Sequence, residues 1–226
     1  MPNHGKKYDE AKKLIDANKA YTIAEAVELI KKVNYAKFDG TVEIAIKTNA
    51  DPKYNDQMIR ATTILPHGTG KSPRIAVYIS EDKAAETKAA GADIVGTEIL
   101  LNDIKAGKFN FDVLITTPDH IRDLASVAKQ LGPKGLMPSP KSGTVTANVI
   151  QTVEEFKKGK MEFKLDKTGN VHGIIGKVSF DAKALEENIA AFLKALEDNK
   201  PAWVKAKLVR KVVVAPTMWP GIQIAY

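Results

Sequence analysis

Arg74-Ile75-Ala76-Val77-Tyr78-Ile79 is a run of β-favouring, mostly apolar residues, and Asp112-Val113-Leu114-Ile115-Thr116 is a second. Between them lie two stretches with helical character, residues 81–90 and 97–106, and a short apolar segment, Asp93-Ile94-Val95. Strands that are apolar without alternation are buried on both faces. Strands of that kind alternating with helices make a small parallel sheet. A further helix is expected over 118–131, with Pro118 in its first turn, where the missing N–H has no partner to lose. This part of the chain therefore predicts a Rossmann-like α/β domain of three layers, with helices on both sides of the sheet.

On either side the pattern is different. Upstream, Thr22-Ile23-Ala24-Glu25 has the spacing of a capping box, and Ala26, Leu29, Ile30 and Val33 follow at helical intervals. A helix is expected over 22–33 and a shorter one over 9–16. Val42, Ile44 and Ile46 then alternate with Thr41, Glu43, Ala45 and Lys47, which predicts a strand with one buried face. Downstream, the Gly- and Pro-dense residues 131–143 predict an irregular, fixed loop, and 152–159 a helix that closes the α/β region. Residues 161–165 and 171–180 read as strands around a turn at Asp166-Lys167-Thr168-Gly169-Asn170. Asp181 is placed to cap a helix running to Asp198, and 207–215 reads as a final strand.

Neither outer segment has enough strands for a stable sheet alone. The expectation is one discontinuous α+β domain, 1–66 with 160–226, into which the α/β domain 67–159 is inserted. Leu65-Pro66-His67-Gly68-Thr69-Gly70 is rich in turn formers and is the expected linker and hinge; residues 155–160 are the expected return hinge.

The 226 residues carry a net charge of +7. Residues 1–66 contribute +2, residues 67–159 +1 and residues 160–226 +4, so the excess sits on the outer domain. A basic surface fits a polyanion such as RNA. Cysteine is absent, which removes disulfides and thiolate metal sites and fits the cytoplasm. The first residues are polar, unlike a signal peptide, and no segment approaches the ~18 apolar residues of a membrane span, so no membrane partner is expected.

Catalytic motifs fail on inspection. Gly68-Thr69-Gly70-Lys71-Ser72 has the end of a phosphate loop, but Leu65 stands where the first glycine is needed and a strand follows instead of a helix. His4, His67, His120 and His172 have no metal-ligand spacing, and no Gly-x-Ser-x-Gly nucleophile motif occurs. Asp112, Asp119 and Asp123 at strand ends read as capping and surface groups. No cofactor, metal or enzymatic activity is expected; the rival reading is a small-molecule-binding Rossmann-like enzyme.

Three stretches of the outer domain suit RNA. Lys37-Phe38-Asp39-Gly40-Thr41-Val42-Glu43 leads into the first strand. Lys167, Asn170 and His172 lie at the turn, and Thr217-Met218-Trp219-Pro220-Gly221 follows the last strand. Lysines meet phosphates, aromatic rings stack, and Thr, Asn and Glu hydrogen-bond 2′-hydroxyls and base edges.

The first of these stretches, the loop Leu131-Gly132-Pro133-Lys134-Gly135-Leu136-Met137-Pro138-Ser139-Pro140-Lys141-Ser142-Gly143-Thr144-Val145, and residues 166–177 together resemble the large-subunit ribosomal protein L-one family in its bacterial form. The resemblance covers essentially the whole chain. It implies a discontinuous domain with a Rossmann-like insertion, bound as a monomer to large-subunit ribosomal RNA on cytoplasmic ribosomes. It implies a mobile stalk near the exit site that assists release of deacylated tRNA, and repression of the protein's own mRNA. The family's RNA contacts map onto Phe38, Thr41, Glu43, the 167–172 turn, Thr217 and Met218. The family's usual Gly after Thr-Met is Trp219 here, and the expectation is that its indole stacks on a base or sugar. A repressor acting off the ribosome would use the same surface.

Overall fold

The computed structural model describes residues 5–17, 19–34, 36–204 and 207–226, without the side chain of residue 81. The chain divides into two compact units, residues 1–70 with 162–226, and residues 71–161. Among the described residues the fold is mixed α+β with three sheets.

The first unit begins with α1 (Lys6–Lys13), α2 (Ile23–Val33), β1 (Thr41–Thr48) and β2 (Arg60–Ile64). Helix α1 starts and stops three residues before the expected 9–16. The capping box of α2 forms: Glu25 N–H donates to Thr22 Oγ1 at 3.3 Å, and Thr22 N–H donates to the Glu25 carboxylate at 2.8 Å. Those bonds hold the Glu25 carboxyl below its ordinary range, the Thr22 backbone N–H contributing most. Strand β2 was not read from the sequence, because its inward residues are Ala61 and Thr63, which give a weak apolar alternation.

The second unit carries β3 (Ile75–Tyr78), α3 (Ala84–Ala89), β4 (Ile94–Val95), α4 (Glu98–Lys105), β5 (Val113–Thr116), α5 (Ile121–Leu124), α6 (Ala128–Leu131) and α7 (Val149–Lys157). The three strands are parallel in the order β4-β3-β5. Ala76 and Tyr78 pack with Leu100, Ile104, Leu124 and Leu131 on one face. Ile75, Val77 and Ile79 pack with Val149, Val153 and Phe156 on the other. Burial on both faces explains why these strands lack alternation.

The single helix expected over 118–131 is broken into short α and 3-10 turns. Ser126 Oγ donates to the Asp123 carbonyl at 2.9 Å, a local bond that competes with the helical ladder. Helix α7 begins three residues earlier than expected, where Val149 opens the apolar series continued by Val153 and Phe156. Residues 131–143 are fixed by a hydroxyl cluster, with Ser142 Oγ and Thr144 Oγ1 2.9 Å apart and the Ser139 N–H donating to Thr144 Oγ1 at 2.9 Å. Beyond it, Thr116 and Val145 form a parallel bridge that extends the sheet beside β5.

The chain then runs through β6 (Lys160–Lys164), β7 (Asn170–Lys177), α8 (Ala182–Asp198), β8 (Val209–Pro216) and β9 (Ile222–Ile224). The strands flanking the 166–170 turn do not form the expected hairpin. Only Leu165 and Val171 bridge across it; β6 pairs with β2, while β7 pairs with β1. The larger sheet is β7-β1-β8-β9, with β1 antiparallel to both neighbours. Strand β9, three residues long, was also missed from the sequence.

Val42, Ile44, Ile46, Val212 and Val214 turn to the buried side of this sheet, where α2 and α8 supply Val27, Ile30, Leu185, Ile189 and Phe192. Asp181 occupies the N-cap position of α8 by backbone angle, but its side chain makes no capping bond. Residues 65–70, the expected linker and hinge, are fastened to the first unit. Leu65 is fully buried, and Asn188 of α8 binds the backbone of His67 and Gly68. Among the described residues no helix is long and apolar enough to cross a membrane.

Candidate nucleic-acid interface

The face of the large sheet opposite α2 and α8 is open. On β1 it presents Thr41, Glu43, Ala45 and Lys47, none of them buried. Register places Lys177, Ile174, His172 and Asn170 of β7 opposite these four. On the other side, Ala215, Val213 and Lys211 of β8 stand opposite Glu43, Ala45 and Lys47. Cross-strand partners share a face, so this is one continuous surface. Its middle is shallow, made of Ala45, Val213 and Ala215, and its margins carry the cations.

The first and third sequence stretches meet at one end of this face. Thr217 N–H donates to the Thr41 carbonyl at 2.9 Å, and Thr41 N–H donates to Thr217 Oγ1 at 3.2 Å. Lys177 Nζ donates to Thr41 Oγ1 at 2.9 Å. The approach to β1 is stapled down as well, with Ser179 Oγ donating to the Asp39 carboxylate at 2.8 Å and Val178 N–H to the Gly40 carbonyl at 2.9 Å. Lys37 and Phe38 project from this stapled segment and are exposed. Lys177 was missed by sequence reasoning; only the pairing of β7 with β1 brings it to Thr41.

The turn at 166–170 lies at the other end. Thr48 N–H donates to the Gly169 carbonyl at 3.0 Å, and Lys47 Nζ donates to the Thr168 carbonyl. Thr41 and Lys47 are six strand residues apart, about 20 Å. The three stretches therefore share a face, the first and third joined at one end and the turn set apart at the other, and the face is a strip with a group at each end. Several successive phosphates span such a length.

Asp166 organises the turn. Its Oδ1 accepts from the N–H groups of Thr168 and Asn170 at 2.8 and 2.7 Å, and the Thr168 hydroxyl donates to it at 2.8 Å. Partial burial pushes its pKa up, but the bonds from Asn170 and Thr168 outweigh that and hold the carboxyl well below its ordinary range. Gly169 has φ +78°, and a Cβ there would sit 3.1 Å from the Ala50 carbonyl oxygen. The depressed pKa means the ionised form is favoured in the folded state. Its stabilisation is present above the ordinary carboxylate pKa of about 4 and is lost as pH falls below it. The Asp166→Asn variant is expected to be less stable at pH 7 by about 1 kcal/mol, a figure discounted for partial exposure. Its urea midpoint should converge on that of the wild type as pH drops below 4. A gap that stays constant with pH would show that ionisation contributes nothing.

The loop after β8 differs from expectation. Trp219 is only 7 % exposed, so the indole is part of the packed interior and is not displayed for stacking. Met218 is 78 % exposed and is the side chain this loop presents. It sits at φ 73°, the one non-glycine residue in the left-handed region among those described. Gly221 is required by contact: a Cβ there would approach Val213 Cγ1 to 2.6 Å. Among the described residues no group of His, Asp or Glu is arranged to hold a metal ion.

Residues 30–220 match the ribosomal protein L1p/L10e family. The chain belongs to that family. It is 50 % identical over 224 residues to the large ribosomal subunit protein uL1 of Kosmotoga olearia, covering 99 % of this chain and 97 % of the relative. It is 52 % identical over 225 residues to the proteins of that name from Thermosipho africanus and Fervidobacterium nodosum, covering 99 % of this chain and 97 % and 96 % of theirs. The family match includes β1, the 131–145 loop, the 166–172 turn and the Thr217-Met218 loop, so every stretch that carried the resemblance falls inside it.

Proposed function

We propose that this chain, a ribosomal protein of the large subunit, binds large-subunit ribosomal RNA along the open face of the β7-β1-β8-β9 sheet. The observation that carries the reading is the strip itself. It has a hydrogen-bonded Thr41–Thr217–Lys177 group at one end, a rigid Asp166-centred turn at the other, and a shallow middle between them. Lys37, Lys47, Lys167 and Lys211 meet phosphates. Phe38 and Met218 provide exposed apolar surface for bases and sugars. Glu43, exposed on β1, accepts from 2′-hydroxyls or base amino groups, a preference for RNA over DNA. Asn170, His172 and Gly221 complete the two margins.

In this reading the discontinuous unit is the RNA-binding domain and residues 71–161 form an inserted domain that moves on it. The protein then serves as the mobile stalk near the exit site, assists release of deacylated tRNA, and represses its own mRNA by binding a similar RNA structure. It works as a monomer on cytoplasmic ribosomes. Its relatives are ribosomal proteins, which fits a binding role and no enzymatic one.

A gel-shift titration against large-subunit ribosomal RNA tests the site. Phe38→Ala and Met218→Ala should each weaken binding about fivefold to a hundredfold, the range for losing one base contact. Lys141→Ala, on the other unit, should change it less than about twofold. Thr217→Ala should weaken binding too, partly because its hydroxyl holds the Thr41 backbone. Wild-type affinity should fall steeply with salt. Equal effects of Met218→Ala and Lys141→Ala would refute the assignment. Sedimentation of the protein free of large subunits would favour a repressor working off the ribosome.

A further inference from the structure

From Asn199 to Tyr226 the chain has five basic residues and no acidic one, so this short segment holds +5 of the net +7. The open sheet face accounts for Lys211 only. Arg210 lies at the start of β8, and the other three precede that strand around an aromatic residue: Lys200-Pro201-Ala202-Trp203-Val204, followed by Lys205 and Lys207.

The structure displays that aromatic residue. Residues 201–204 form a tight turn, Val204 N–H donating to the Pro201 carbonyl at 3.1 Å. Val204 and Leu208 are buried, and between these anchors and α8 the Trp203 side chain is 68 % exposed. Lys200 and Lys207 are exposed beside it in sequence, Lys207 Nζ being held at the protein surface by the Tyr226 carbonyl at 2.7 Å and lying over the Tyr226 ring. The segment is tied to the far end of β1, where Asn49 N–H donates to the Leu208 carbonyl at 2.9 Å and Asn49 Nδ2 to the Lys207 carbonyl at 2.7 Å. That is the Lys47 end of the RNA strip, with the 166–170 turn.

The register shifts between Lys47 and Thr48, so that Lys47 pairs with Lys211 and Thr48 with Val209. The extra residue is Arg210, and the bulge leaves Arg210 and Lys211 exposed in succession. Among the described residues, exposed Lys207 before β8 and exposed Arg210 and Lys211 within it put cations on both sides of the join between the Trp203 turn and the sheet. The nearest acids in sequence, Glu197 and Asp198, lie on the α8 side of it.

An exposed indole set among lysines suits a nucleic-acid base: the ring stacks on any base face, and the flanking cations neutralise its phosphates. We infer that the Trp203 turn is a second RNA contact, in which the indole stacks on an unpaired base and Lys200 and Lys207 meet the neighbouring phosphates. The inference rests on the proposed RNA-binding role and extends the footprint beyond the open face. A protein partner would call for an apolar surround to the indole with charge kept to the rim, whereas the charged residues within four positions of Trp203 are all cations: Lys200, Lys205 and Lys207.

The chain has two tryptophans, and only Trp203 is accessible. Acrylamide quenching of the full chain therefore reports Trp203, with and without large-subunit ribosomal RNA. RNA should protect it, and the accessible emission should vanish in Trp203→Phe. Trp203→Ala should weaken RNA binding about fivefold to a hundredfold, and Trp203→Phe should keep most of the affinity. Because the side chain is exposed, the melting temperature of Trp203→Ala should match the wild type. If RNA binds with Trp203 still quenchable, or Trp203→Ala binds within twofold of wild type, the inference is overturned while the open-face reading stands. Protection that appears only in assembled subunits would also overturn it, in favour of a protein neighbour. Failure of the wild-type chain to bind the RNA at all would overturn the proposed function and this inference with it.

Discussion

Trp219→Ala is expected to lower the stability of the discontinuous unit by about 3–5 kcal/mol, the usual cost of truncating a large buried aromatic side chain. The ring is almost fully buried, and the residues around it leave little room to collapse: Pro220 and Ile222 are buried beside it in sequence, and Trp219 N–H closes the turn onto the Pro216 carbonyl at 3.1 Å. Glycine at this position would be worse, since it removes the same side chain and adds backbone entropy to the unfolded chain. It would not relieve the left-handed conformation, which belongs to Met218. A melt should show a fall of roughly 6–20 °C for a chain of this size. RNA affinity measured well below that transition should change little. A large loss of affinity with an unchanged melting temperature would restore the stacking role for the indole.

Asn188→Ala is expected to cost about 2–4 kcal/mol in the same unit. Asn188 is 0 % exposed and is bonded at both ends of its amide. Its Oδ1 accepts from the His67 N–H at 3.1 Å, and its Nδ2 donates to the Gly68 carbonyl at 3.0 Å and the Ile175 carbonyl at 2.7 Å. Alanine abandons three backbone groups, one of them deeply buried, and those groups cannot themselves be mutated away. Asn188→Leu restores volume but not the bonds, so it should be no better. Asn188→Asp keeps the acceptor, loses both donors and brings in a charge, so it should be at least as damaging. Urea unfolding of the three variants checks the order. Near-wild-type stability of Asn188→Leu would mean that the amide only fills space.

The same bonds matter for movement. His67 Nε2 lies 2.6 Å from Glu187 Oε2, next to the Asn188 clamp. Gly70, at φ +73°, is closed in by Lys177 and Phe180, which a Cβ there would meet at 2.6 and 3.1 Å. Residues 65–70 read as a hinge from composition because Pro, Gly and Thr are turn formers. Turn formers also build tightly fixed corners, and only the position of α8 distinguishes the two.

How much was legible depends on the range of the interaction that fixes each element. The α2 capping box needs two side chains three residues apart, and it forms as written. The α/β rhythm of residues 74–116 and the alternation of β1 are likewise periodic signals, and the sheets formed by those residues follow them. Strand β2 was illegible because Ala61 and Thr63 are too weakly apolar to mark an inward face. The 118–131 segment was misread because the bond from Ser126 to Asp123 competes locally with helix formation.

The proposed site divides in the same way. The residue types at 37–43, 166–172 and 217–221 marked them as RNA-suited from sequence, since lysines, aromatic rings and turn formers carry that meaning locally. Their arrangement did not follow from sequence, because strand register joins residues more than a hundred positions apart. Register set Thr217 and Lys177 against Thr41 and put the 166–170 turn at the opposite end of the strip. It also made Lys47 and Lys211 neighbours, and burial withdrew Trp219 from the loop's exposed surface while leaving Met218 displayed. What the sequence determined by itself was the class of each element and the chemistry of each stretch, because those depend on neighbours within a few residues. What only the tertiary structure decided was which stretches share a face, which linker is clamped and which tryptophan meets solvent. Those outcomes depend on β1 pairing at once with β7 and β8, and on α8 packing beneath them.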